Sequence, residues 1–278
     1  MKKFDFIKMH GLGNDFVIID ERNGELGLST AEIVSIANRH TGVGCDQLIT
    51  ISYDSKSNFF IRFFNSSGEE VSACGNGSRC VARILMEENK NTEVLIKTKA
   101  GFLQCKKITE KIISINLGKP KFNWNEIPLD QDYKNKAIIF EINDVSITNP
   151  YFVNVGNPHS IFLVSNLENY NIDEFGPLIE NDKMFPEKCN VTIAQIISPI
   201  HIKINVWERG AGKTLACGTA ACATAVAAYK SKLTESKVRV SLPGGDLNIE
   251  YNEDIIMSGA TEFSFNLSLI HISEPTRL

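Results

Sequence analysis

Ala73-Cys74-Gly75-Asn76 returns later in the chain as Ala216-Cys217-Gly218-Thr219, and the difference between 217 and 74 is 143. The same offset takes Gly13-Asn14-Asp15 to Gly156-Asn157-Pro158, Gln47 to Asn190, and Asn65 to Glu208. Any one of these matches is weak. Four polar or reactive positions aligned by one shift, without gaps, point to two copies of one fold, each of about 140 residues.

Secondary-structure patterning agrees. Ser29–His40 reads as a helix that opens on a capping box, Ser29 with Glu32. Gly75–Asn89 has helical periodicity, and Gly218–Lys230 is an Ala-rich helix apolar nearly all round, which predicts burial. The segments between them are rich in strand formers. The predicted fold is α/β (α+β): two pseudo-symmetric domains, each a mostly antiparallel curved sheet or barrel around a central helix, with the site in the cleft between them. The expected parts are residues 1–130, 131–266 and a tail at 267–278. Asn143–Asn149, polar and followed by Pro150, suits a linker. The tail has neither helical nor strand periodicity; it resembles a translated library adapter and is expected to be non-native.

The net charge of −4 and the pI near 5.8 argue against a nucleic-acid partner. No apolar run reaches the ~20 residues of a membrane span, and the start lacks the apolar stretch of a signal peptide. A cytoplasmic protein acting on a small molecule is expected. The seven cysteines include no Cys-x-x-Cys pair, so neither a disulfide framework nor a structural zinc site is expected. The plain reading of a free cysteine is a small buried hydrophobe, and Cys45, Cys80, Cys105, Cys189 and Cys222 keep it. Two lookalikes fail. Gly210-Ala211-Gly212-Lys213-Thr214 would need a glycine where Trp207 stands, and Gly11-Leu12-Gly13 would need one at Phe16.

Cys74 and Cys217 differ from the rest because each immediately precedes a predicted helix. Unpaired N–H groups and a partial positive charge at a helix start favour a thiolate, so both thiols are expected below their usual pKa of about 8.5. The same N–H groups can hold a carboxylate, and Gly75 and Gly218 let the backbone come close to it. Two such thiols, one on each side of a carbon, can invert it. One removes a proton while the other delivers one to the opposite face.

At these residues the chain resembles the diaminopimelate epimerase family, which shares its fold with the proline racemases. The resemblance is carried by residues 8–16 (Lys8-Met9-His10-Gly11-Leu12-Gly13-Asn14-Asp15-Phe16), Gly44-Cys45-Asp46-Gln47, Arg62-Phe63-Phe64-Asn65 and Cys74-Gly75-Asn76-Gly77-Ser78-Arg79-Cys80. It continues in Gly156-Asn157-Pro158-His159, Trp207-Glu208-Arg209-Gly210-Ala211-Gly212 and Ala216-Cys217-Gly218-Thr219. It implies a cofactor-independent epimerase that interconverts LL- and meso-diaminopimelate for lysine and peptidoglycan synthesis, usually a homodimer. It assigns Cys74 and Cys217 as the acid/base pair. Asn14, Gln47, Asn65, Asn157, Asn190, Glu208 and Arg209 would hold the distal amino-acid end. Gly75, Asn76, Gly218 and Thr219 would hold the reacting carboxylate, and His159 and Glu208 would position the thiols. The chain departs from the family pattern at Ala220, where a glycine is usual, and at Lys213, where a glutamate is usual. Competing readings are an epimerase of proline or hydroxyproline, a non-catalytic amino-acid binder, and a thiol redox protein. The set Asn14, Asn65, Asn157, Asn190 and Arg209 favours a substrate with a second amino-acid end.

Overall fold

A computed structural model describes residues 4–56 and 58–269. The chain divides into two compact units, one running to Ile115 and taken up again from Gly259, the other spanning Asn116–Ser258.

The first unit contains β1 (Phe4–Gly11), β2 (Asn14–Asp20), α1 (Thr30–Ala37), β3 (Gln47–Ser52), β4 (Phe60–Asn65), β5 (Glu70–Val71), α2 (Gly75–Asn89), β6 (Glu93–Thr98), β7 (Gly101–Lys107) and β8 (Ile112–Asn116). The capping box forms as read from the sequence. Ser29 Oγ accepts from the Glu32 N–H at 3.3 Å and Glu32 Oε2 accepts from the Ser29 N–H at 2.7 Å. β1–β2, β3–β4 and β6–β7 pair antiparallel; β2–β3 and β4–β6 pair parallel. The helix α2 packs on β1 and β2 at one end of this ladder and on β6 and β7 at the other. Those ends are five strand steps apart, roughly 24 Å if flat, whereas a helix is about 10 Å across. The sheet therefore curls around α2, whose Cys80, Val81, Ala82 and Leu85 are fully buried.

The second unit contains β9 (Ile139–Ile142), β10 (Val145–Thr148), β11 (Tyr151–Asn154), β12 (Pro158–Val164), α3 (Ile172–Glu180), β13 (Asn190–Ser198), β14 (His201–Glu208), β15 (Gly212–Thr214), α4 (Gly218–Lys230), β16 (Lys237–Leu242), β17 (Gly245–Tyr251) and the first four residues of β18 (Ile255–Ala260). From β11 to β17 it repeats the first unit's order and pairing: β11–β12, β13–β14 and β16–β17 antiparallel, β12–β13 and β14–β16 parallel. Its helix α4 likewise touches β11 and β12 at one end and β16 and β17 at the other.

The repeat extends to register. Gln47 pairs with Phe16, and Asn190 pairs with His159. Phe63 and Phe64 pair with Val71 and Glu70; Val206 and Trp207, each 143 positions on, pair with Thr214 and Lys213. The fold is thus mixed α/β, mostly sheet, with four α-helices among the described residues. Of the two forms expected, sheet or barrel, the described pairings give a sheet.

Two local readings are corrected. The expected linker contains β10, which closes a hairpin with β9 through Asn143 and Asp144, both at positive φ (48° and 64°). Asn and Asp tolerate that conformation, which a two-residue hairpin turn requires. The expected tail begins inside the last strand, β19 (Glu262–Leu269), whose Leu267, Ser268 and Leu269 pair with Phe6, Asp5 and Phe4. Residues 270–278 of the tail lie outside the described residues.

Candidate active site

In the first unit the candidate residues gather at the start of α2. Cys74 is the N-cap residue, in extended conformation, and its Sγ accepts from the Gly77 N–H at 3.4 Å. The thiol also points at Asn14 Oδ1, 3.7 Å away. Asn76 donates to that same oxygen at 3.3 Å, and Asn14 Nδ2 donates to Asp46 Oδ2 at 2.9 Å. Opposite each other on β3 and β4, Gln47 Nε2 donates to Asn65 Oδ1 at 3.0 Å. Gly75, the first helical residue, is half-buried.

In the second unit Cys217 is the N-cap of α4 and is buried. Its Sγ lies 3.4 Å from Thr219 Oγ1, which accepts from Asn157 Nδ2 at 3.3 Å. Asn157 Oδ1 lies 2.9 Å from His159 Nε2. A carbonyl oxygen accepts only, so His159 carries its proton on Nε2. Burial, with the nearby Arg209 cation second, pushes the His159 pKa down to about 3, so the ring is neutral. Glu208 accepts from Thr214 Oγ1 at 2.5 Å and lies against Cys217.

The expected lowering of the thiol pKa does not hold at Cys217. Burial, followed by the negative charge of Glu208, pushes this thiol well above its usual range; hydrogen bonds from Thr219 and the Ala220 N–H work the other way and lose. Desolvation of a fully enclosed sulfur outweighs the helix-end field.

Asn190 and Arg209 are committed partly to building the turn after β14. Asn190 Nδ2 donates to Pro158 O at 2.9 Å, and its Oδ1 accepts from the Arg209 N–H at 3.0 Å. The Arg209 side chain is exposed and donates to Glu187 O at 3.1 Å. Gly218 opens α4 and is buried.

Sequence reading missed the supports of these residues. Asp46 orients Asn14 and also accepts from the Asp15 N–H. Arg39 bridges Asp15 and Asp46, and although burial raises the Asp15 pKa, hydrogen bonds from Arg39 and Lys8 hold it well below the usual carboxylate range. Glu180 is buried on α3; it accepts from Trp207 Nε1 at 2.7 Å and the Gly210 N–H at 2.8 Å, fixing the segment that carries Glu208 and Arg209. The only signal for Asp46 was its place in the quoted Gly44-Cys45-Asp46-Gln47 segment, and Glu180 gave none. Of the two departures, Lys213 pairs with Asp173 at 2.7 Å, both about half exposed, and Ala220 is fully buried in α4. Among the described residues no cluster of three or more His, Cys, Asp or Glu could hold a metal ion, and no helix is long and apolar enough to cross a membrane.

The fold is that of a known structural group. A phenazine biosynthesis protein of the PhzF family from Bacillus anthracis matches with a TM-score of 0.69 at 18% identity, covering 98% of this chain and 100% of its own. A hydroxyproline epimerase from Agrobacterium vitis matches at 0.68 with 9% identity, covering 98% and 94%. At such identities the likeness shows the fold alone. Sequence carries the comparison further. The profile described as diaminopimelate epimerase matches residues 6–123 and 151–263. A diaminopimelate epimerase of Pelagibacter ubique is 43% identical over 267 residues, 94% of this chain and 97% of its own; one of Afipia carboxidovorans is 42% identical over 270 residues, 94% and 93%. The chain belongs to the diaminopimelate epimerase family, whose named members are isomerases acting as amino-acid epimerases.

Proposed function

We propose that this chain interconverts LL- and meso-diaminopimelate without a cofactor, with Cys74 and Cys217 acting as base and acid on opposite faces of one carbon. The observation that carries this reading is the pair of thiols, each the N-cap of the central helix of its unit, at positions one repeat apart. Inversion is served by a base on one face of the carbon and an acid on the other, and a repeated fold can supply one such group from each unit.

In one direction a thiolate takes the α-proton and becomes a thiol. The second thiol gives its proton to the opposite face and becomes a thiolate. The reverse reaction exchanges the roles, so no proton is gained or lost. Charge left on the substrate carboxylate is held by N–H groups at helix starts, near Gly75, Asn76, Gly218 and Thr219. The Cys217 thiol, held protonated by burial and Glu208, is suited to donate first. His159, through Asn157 and Thr219, fixes the hydroxyl that faces it. At the distal end the exposed Arg209 guanidinium takes a carboxylate, and Asn14, Gln47, Asn65, Asn157, Asn190 and Glu208 complete recognition. The product would supply lysine and peptidoglycan synthesis, and a cytoplasmic homodimer belongs to the same reading, which sedimentation of the purified protein tests.

The assay is inversion of LL-diaminopimelate by the purified chain, with L-proline and trans-4-hydroxy-L-proline as controls. Turnover of diaminopimelate alone is expected. Inversion of the ring amino acids instead would overturn the substrate assignment.

A further inference from the structure

We propose that Arg79 is a positioning residue for Cys74: its buried guanidinium locks the side-chain amides that face the thiol and places positive charge behind it. The proposal rests on the reading of Cys74 as an acid/base.

Arg79 is fully buried and is the largest such side chain described. A buried cation is costly unless its surroundings use it. Its Nη2 donates to Asn76 Oδ1 at 2.8 Å, in the protein interior. A guanidinium can only donate and a carboxylate can only accept. Asn76 must therefore turn its oxygen to Arg79 and its nitrogen to Asn14 Oδ1. At the far end Asp46 takes the Asn14 nitrogen. Between these charged ends both amides have one orientation, and it leaves Asn14 Oδ1 facing Cys74 Sγ. The sulfur thus has an acceptor on one side and the Gly77 N–H donor on the other. The first favours the thiol and the second the thiolate, which suits a group that must be both. Arg79 and Cys74 share one neighbour, the Cys80 thiol, on which both act.

The second unit serves as an internal control. One repeat on from Arg79 stands Cys222, and one repeat on from Asp46 stands Cys189, both buried. The helix α4 still begins on a cysteine cap and is still buried, so this architecture does not need the arginine. Space for the contact is kept by Gly11, where a Cβ would lie 3.3 Å from Arg79 Nη2 and 3.5 Å from Asn76 Cβ.

The test follows iodoacetamide alkylation of each cysteine peptide against pH by mass spectrometry, with Cys217 as the reference in the same sample. Arg79→Gln keeps a donor for Asn76 but removes the charge. Its Cys74 midpoint is expected to rise by about one pH unit, roughly tenfold slower labelling at pH 7. Arg79→Lys should recover at least half of that shift, and Cys217 should not move. In the epimerase assay kcat at neutral pH should fall while KM stays within about threefold, with part of the loss recovered at higher pH. An unchanged Cys74 profile in folded Arg79→Gln overturns the proposal. If that variant does not fold, Gly11→Ala, whose methyl group would crowd the guanidinium at 3.3 Å, should raise the midpoint. An unmoved Cys74 profile in folded Gly11→Ala overturns the proposal equally. Alkylation needs no substrate, so a parent protein without epimerase activity would sink the proposed function while the Cys74 profile still decides the role of Arg79.

Discussion

Cys217 shares its surroundings with Glu208, and the carboxylate adds to burial in holding the thiol protonated. Removing that charge should ease ionisation, since a like charge disfavours the anion. Alkylation of Cys217 in Glu208→Gln should therefore reach its midpoint at lower pH than in the parent. A midpoint that is unmoved or higher would show that Glu208 does not act on the thiol. His159 is a second residue whose state is fixed by burial. With its pKa pushed down to about 3, the imidazole should show no titration between pH 5 and 8 when its ring carbons are followed by NMR. A midpoint near 6.5 would contradict the neutral, enclosed ring. The thiols, Asn14, Asn157 and the two glycines were legible because a single offset aligned them and the quoted motifs framed them. Asp46, Arg39 and Glu180 were not, because their partners lie far along the chain: Asp46 reaches Asn14 across 32 positions, and Glu180 reaches Gly210 across 30. The direction of the Cys217 shift was also hidden, since a helix-start motif says nothing about how completely the sulfur is enclosed.

A capping box announced α1, an apolar period α2 and an unbroken apolar run α4, and all three stand close to where those signals put them. The helix α3 was not among the expected helices, although Ile172, Phe175 and Ile179 are buried at helical spacing on either side of Pro177. Short strands such as β5 and β15, of two and three residues, carry no pattern of their own and form against β4 and β14. At the start of α2 the repeat makes a testable distinction. A Cβ on Gly77 would lie 2.7 Å from Ile49 Cδ1 and 3.0 Å from Phe63 Cε1, whereas its counterpart, one repeat on, is Ala220. Gly77→Ala gains up to about 1 kcal/mol of helix preference but must overpack the sheet beneath, at about 1–3 kcal/mol. Urea unfolding should show net destabilisation of about 1 kcal/mol; a stabilised variant would show that the contact relaxes freely. In the exposed cap of α1, Ser29→Ala should cost about 1 kcal/mol by the same measurement, because the Glu32 N–H loses its acceptor.

Across the whole molecule, all seven cysteines are free thiols, and several are buried away from the candidate site. Burial pushes Cys45 up to about 11, and Cys80 and Cys105 up to about 12. A thiol whose folded pKa is raised favours the folded state fully below its unfolded value of about 8.5 and loses that contribution as pH rises through the folded value. Melting temperature should therefore fall between about pH 8.5 and 11, and Cys45→Ala should flatten that fall. On the acid side His159, depressed to about 3, contributes above about 6.5 and loses its contribution as pH falls toward 3. The two-unit plan was legible from the repeat because the repeat is carried by strand register as well as by the cysteines. The return of the last strand to β1 was not, since its exposed residues alternate too weakly to announce pairing. The central claim is that each thiol serves one face of the reacting carbon, and it is tested most directly by proton exchange in heavy water with LL-diaminopimelate. In the parent, the inverted product should carry one solvent deuteron at the reacting carbon while unreacted substrate keeps its proton early in the reaction. Cys74→Ala and Cys217→Ala should each lower inversion by about 100-fold or more while remaining folded. Inversion by Cys74→Ala at near the parent rate would contradict the account.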